Sequence, residues 1–176
     1  MQLKTSIRLD TWESENTQSH QLHCSIARFD EWHPIVSGNK YFKLSLLLDD
    51  AMAQQKKYIA TFGGAYSNHL VATAYACRER NINSMGIVRG EAARFLSPTL
   101  LECQRYGMQL YFLSRTDYAL KPVAAALDQF NIPEESIYWI PEGGFHPLGA
   151  QGASAMYAAI QPIAATHLLM AVGTAT

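Results

Sequence analysis

From Phe42 onward the chain alternates strictly between stretches of helical spacing and short apolar runs, joined by connections of a few residues. The spacing predicts helices over 41–55, 67–80, 98–106, 118–130 and 150–160, and strands over 57–62, 83–88, 108–113, 136–140 and 167–172. The strand segments YIATF, SMGIV, QLYFL, SIYWI and HLLMAV are almost continuously apolar, which is how strands read when both faces of their sheet are covered. The pattern therefore predicts an α/β protein in three layers, a parallel sheet with helices on both faces. Residues 1–37 show no such regularity, apart from weak strand signals over 23–29.

A chain of 176 residues is long enough for one domain, or for two small ones sharing a sheet, with a sizeable core. Lys+Arg 14 against Asp+Glu 15 gives a formal net charge of −1, without the cationic excess that a nucleic-acid groove or a membrane-surface helix requires. Neither partner is expected. Only 16% of residues are charged, against roughly 25% in an average soluble domain, so more surface is meant to be covered than a small domain covers alone. No run approaches the ~20 apolar residues of a membrane span, and the polar start of the chain lacks the apolar core of a secretory signal. Three widely spaced cysteines, Cys24, Cys77 and Cys103, suit reduced thiols better than disulfides or zinc. A cytoplasmic protein is expected. No HxH or HExxH spacing occurs among the histidines and no Walker or GxGxxG loop is present, so no metal site is expected.

Three segments could carry chemistry. Ser37-Gly38-Asn39-Lys40-Tyr41-Phe42-Lys43-Leu44 stands at the start of a predicted helix, with Asn39 able to act as N-cap. The positive end of the helix dipole disfavours protonation of Lys40, and a neutral amine is what a nucleophilic lysine needs. By itself the same pattern also describes a solvated surface lysine. Thr61-Phe62-Gly63-Gly64-Ala65-Tyr66-Ser67-Asn68-His69 joins a strand to a helix through a glycine turn, and the free amides of a helix start suit a carboxylate. Ser67 has two readings here, anion-binding hydroxyl and plain helix cap; a nucleophile elbow is excluded because G-x-S-x-G is absent. Pro141-Glu142-Gly143-Gly144-Phe145-His146-Pro147-Leu148-Gly149 follows another strand, where adjacent glycines fit either a close backbone approach or an ordinary turn.

Taken together, GNKYFKL, TFGGAYSNHL, IVRGE, IPEGGFHPLGAQG and VGTAT, in that order, resemble the family of 1-aminocyclopropane-1-carboxylate deaminases and D-cysteine desulfhydrases. These are pyridoxal 5′-phosphate enzymes of fold type II, the tryptophan-synthase-β-like group. The resemblance implies that Lys40 carries the cofactor as a Schiff base and that Asn68 hydrogen-bonds its phenolic oxygen. It further implies that Ser67 and His69, with Asn68 beside them, bind the substrate carboxylate or take part in proton transfer. Gly173, Thr174 and Thr176 match the start of the phosphate-binding loop.

The implied activity is lyase or deaminase chemistry on a small amino acid, such as 1-aminocyclopropane-1-carboxylate or D-cysteine, releasing ammonia and a keto acid; a full-length protein would be a homodimer. Family members are about twice this length, so the chain is expected to represent the N-terminal half: a small α/β domain over 45–157 and a partial large, cofactor-binding domain over 1–44 and 158–176. The chain alone is expected to be inactive and to self-associate. Phe42 stands where the family has an arginine. That departure favours the rival reading, a degenerate α/β paralogue serving as a binding or scaffolding module; the joint presence of Lys40, Ser67, Asn68 and His69 speaks against it.

Overall fold

The computed structural model describes residues 7–120, 132–160 and 164–170. In chain order it contains β1 (Leu9–Trp12), α1 (Glu15–Ser19), β2 (Cys24–Ala27), α2 (Asn39–Ala53), β3 (Tyr58–Gly64), α3 (Asn68–Glu79), β4 (Asn83–Arg89), α4 (Pro98–Arg105), β5 (Gln109–Leu113), α5 (Arg115–Leu120), β6 (Ile137–Ile140) and α6 (Pro147–Ile160). Strands β3 to β6 form a parallel sheet in the order β5-β4-β3-β6.

Because successive strand residues point to opposite faces, the apolar runs supply two cores at once. Ile59 and Ile140 point to one side, where Leu44, Leu47, Leu48 and Ala51 of α2 and Ala72 and Cys77 of α3 cover them. Ala60, Phe62, Met85 and Ile87 point to the other and meet Leu113 and Tyr118. A further cluster of Leu70, Ala74, Val88, Leu100, Cys103 and Met108 fastens α4 beside α3. Leu47 and Leu48 are both fully buried, and each contributes about 2 kcal/mol by leaving water. The three-layer arrangement predicted from the pattern is present.

Four features depart from expectation. First, the irregular start contains an antiparallel pair, β1 with β2, in which Asp10 lies opposite Ile26; β2 falls within the weak strand signals over 23–29, whereas β1 has no such signal. Arg28 holds this hairpin through ion pairs with Asp10 (2.8 Å) and Asp30 (2.6 Å). Second, the N-cap of α2 is Gly38, not Asn39; it adopts φ 59°, ψ −143°, and Asn39 is already helical. A left-handed φ is open to glycine without steric penalty.

Third, the helix predicted over 118–130 begins earlier, at Arg115, because the Ser114 hydroxyl accepts the Asp117 N–H (3.1 Å); residues 121–131 lie outside the described part. Fourth, residues 167–170 of the last predicted strand pair with nothing among the described residues, and Leu169 is 94% exposed. A strand needs a ladder partner as well as apolar side chains. Positions 171–176, including Gly173, Thr174 and Thr176, lie outside the described residues.

Candidate functional site

The sheet order places a topological switch beside β3. The chain passes from β3 to β4 and β5 on one side, then returns with β6 on the other. Ligands of open α/β sheets bind at the carboxyl ends of strands flanking such a switch. Three segments converge here: the turn after β3, the turn after β6, and the first turn of α2.

Lys40 is the second residue of α2 and is half-buried. Burial holds its amine below the ordinary lysine range, and its place at the helix start acts in the same direction. One turn later Lys43 is 1% exposed. Its pKa is likewise lowered, first by burial and then by the charge of Lys40. Among the described residues no carboxylate lies within ion-pair distance of it. The stem of Lys43 packs on Gly144, which has φ +76°, and a Cβ there would lie 3.5 Å from Lys43 Cβ. The glycine pair after β6 is thus both a turn and a close approach.

The turn after β3 is equally tight. A Cβ on Gly63 would come within 2.7 Å of Ser67 Oγ and Leu70 Cγ, so only glycine lets the strand end fold back against the start of α3. Ser67 is the N-cap of α3, its hydroxyl accepting the Leu70 N–H at 3.4 Å. Asn68 follows, exposed to solvent. Ser97, the N-cap of α4, donates to the Ala65 carbonyl and ties this turn to the neighbouring helix.

His69 is buried, with Nε2 3.0 Å from Thr61 Oγ1. Thr61 is itself fully buried and donates its hydroxyl to the Ile140 carbonyl at 2.8 Å, a bond that spans the β3–β6 junction. His69 Nδ1 is buried without a hydrogen-bond partner among the described residues. Burial, then the charges of Lys40 and Lys43, push its pKa down to about 3, so the ring is neutral at physiological pH.

The structure therefore gathers Lys40, Ser67, Asn68 and His69 at one end of the sheet. Two residues of the same site, Lys43 and Thr61, carry no role in the sequence reading. Lys43 stands three residues after Lys40, on the same helix face, and Thr61 is a polar residue inside an apolar strand; both signals are legible once looked for. Phe42 is 8% exposed and packs against Phe29, Trp32 and Tyr41, which gives its departure from the arginine pattern a packing reason. An open cleft of about 730 Å³ lies beyond the β3 turn, lined by Gly64, Tyr66, Arg89, Arg115, Tyr118 and Glu142 among others.

No family model matches the chain. It is 29% identical over 144 residues to a putative 1-aminocyclopropane-1-carboxylate deaminase of Thermotoga maritima, covering 77% of this chain and 44% of the relative. It is 32% identical over 126 residues to the mitochondrial bifunctional D-cysteine desulfhydrase/1-aminocyclopropane-1-carboxylate deaminase of Arabidopsis thaliana, covering 66% of this chain and 31% of that protein. Among solved structures, an ACC deaminase homologue superposes with a TM-score of 0.69 at 23% identity, covering 95% of this chain and 50% of the other. A fungal L-serine ammonia-lyase from Rhizomucor miehei does so with a TM-score of 0.59 at 14% identity, covering 92% and 47%. The chain thus spans half or less of the length of each of these proteins.

The architecture is that of pyridoxal-phosphate enzymes of fold type II, over about half of their length. Within that group the chain is similar to 1-aminocyclopropane-1-carboxylate deaminases and D-cysteine desulfhydrases.

Proposed function

We propose that this chain supplies the lysine-bearing part of a pyridoxal 5′-phosphate site in an enzyme that deaminates or desulfurates a small amino acid, yielding ammonia and a keto acid. The observation that carries the reading is Lys40: a half-buried amine with a lowered pKa at a helix start, at the switch point of the sheet and within electrostatic reach of His69. The residues present fit an aldehyde that also carries an anion. Lys40 is the amine that can attach it, and Lys43 is a buried cation with no carboxylate partner among the described residues.

When bound, the cofactor serves as an electron sink for bond cleavage beside the amino group. The chain's own residues supply the remainder. Lys40, with its proton disfavoured by burial, can donate an electron pair and later accept a proton. Lys43 compensates negative charge that water cannot reach. The Ser67 hydroxyl and the amides at the start of α3 suit the substrate carboxylate, and Asn68 offers an amide for the cofactor's phenolic oxygen. Gly173, Thr174 and Thr176 complete the proposal as phosphate ligands. A homodimer and a cytoplasmic location belong to the same reading, the latter supported by three free cysteines, two of them buried.

The test is chemical. The protein is mixed with pyridoxal phosphate, reduced with borohydride and mapped by peptide mass. The expected result is one equivalent of label on Lys40, abolished in Lys40→Ala and retained in Lys56→Ala. Label spread over surface lysines, with Lys40 unmodified, would overturn the reading.

A further inference from the structure

A neutral histidine has two tautomers, and they present opposite chemistry to a ligand. The hydroxyl of Thr61 has one proton, and it is committed to the Ile140 carbonyl at 2.8 Å. Toward His69 Nε2, 3.0 Å away, Thr61 Oγ1 can therefore only accept. The proton of the imidazole must then sit on Nε2, and Nδ1 must carry a lone pair. That Nδ1 is buried and has no hydrogen-bond partner among the described residues. An acceptor deprived of water is destabilising unless something donates to it, so the site holds a standing demand for a donor.

From this geometry we infer that Thr61 is a positioning residue that locks His69 as the Nε2–H tautomer, making Nδ1 a proton acceptor for an N–H group of an amine-bearing ligand. A carboxylate cannot satisfy a lone pair, so His69 serves the amino end of a substrate or the Lys40 amine rather than the carboxylate. The groups whose charge acts on the ring are Lys40 and Lys43, and when protonated each disfavours a second proton on it. The lock spans the junction of β3 and β6, so the tautomer depends on the pairing that creates the switch-point crevice. The identity of the ligand amine rests on the reading given under Proposed function, whereas the tautomer does not.

The test is nitrogen NMR of the histidine rings in the labelled chain near pH 7, with His69 assigned by its loss in His69→Gln. The expected pattern is a protonated Nε2 and a bare Nδ1. Thr61→Ser keeps the hydroxyl and should keep that pattern; Thr61→Val removes it and should lose the Nε2–H preference. A wild-type ring protonated at Nδ1, or at both nitrogens, would overturn the inference, as would a folded Thr61→Val with an unchanged pattern. If Thr61→Val does not fold, the wild-type and Thr61→Ser spectra decide. Labelling of Lys40 by pyridoxal phosphate tests the functional reading separately.

Discussion

The hairpin of β1 and β2 and the parallel sheet of β3 to β6 handle charge in opposite ways. In the hairpin, Arg28 bridges Asp10 and Asp30 in the presence of water, and Trp12 remains 52% exposed. Hydrogen bonds from Arg28 are the largest influence holding both aspartates below the usual carboxylate range. In the sheet region, Lys40 and Lys43 are shifted by burial instead. A charge shifted by its partner is already satisfied; a charge shifted by lost water still has chemistry available to it. The difference separates scaffold from site.

The comparison can be broken most forcibly at Gly152, where a Cβ would overlap the Phe42 carbonyl oxygen. Gly152→Val must push α6 off α2, and urea unfolding should show a loss of about 3 kcal/mol or more.

Next comes the pH response of His69. Its folded pKa of about 3 lies below the ordinary imidazole value of 6.5, so between those values the unfolded chain binds the extra proton. Stability is then full above pH 6.5 and falls as pH drops toward 3, by at most about 1.4 kcal/mol per pH unit. His69→Gln should flatten the 4.5–6.5 stretch of this curve, which equilibrium unfolding at stepped pH will show; an unchanged slope would mean that the ring is charged or hydrated.

Smaller still, Ile59→Val removes one buried methylene-sized group from the α2 side of the sheet and should cost about 1 kcal/mol in the same assay.

The least effect is expected in the hairpin. Arg28→Ala should leave the main unfolding midpoint nearly unchanged while speeding amide exchange in β1 and β2, because exposed ion pairs contribute little and are screened by salt. The depressed pKa values of Asp10 and Asp30 make their contribution present above the ordinary carboxylate pKa and lost as pH falls through the depressed values. Hydrogen exchange at low pH or high salt should therefore mimic Arg28→Ala. A drop in the main midpoint would show that the hairpin is part of the core.

These contrasts also explain what could be read from sequence. Strands β3 to β6 were legible because runs such as Tyr58-Ile59-Ala60-Thr61-Phe62 are apolar on both faces, a pattern that leaves few alternatives. In the hairpin only β2 gave a strand signal, and a weak one; Leu9-Asp10-Thr11-Trp12 was hidden because it is short, mixed and largely exposed, and its pairing with Cys24-Ser25-Ile26-Ala27 is favoured by Arg28, which lies outside both strands. In the site, Lys40 and Ser67 each had a bland reading of their own, and stood out only through the joint order of GNKYFKL and TFGGAYSNHL. Thr61 and Lys43 did not, since a polar residue within an apolar segment acquires meaning from what lies across from it. Thr61 finds its carbonyl 79 residues away, a distance no local pattern spans.

That separation sets an order of assembly. Helices α2 to α4 and strands β3 to β5 can associate through neighbours close in sequence, but β6 must close a long loop before it pairs with β3, and such contacts form late. A chain emerging from the ribosome therefore holds Lys40, Ser67 and His69 well before Ile140 arrives to engage Thr61. Until then the Thr61 proton has no Ile140 carbonyl to bind, so the tautomer inferred for His69 is set by the arrival of β6 rather than by Thr61 and His69 alone.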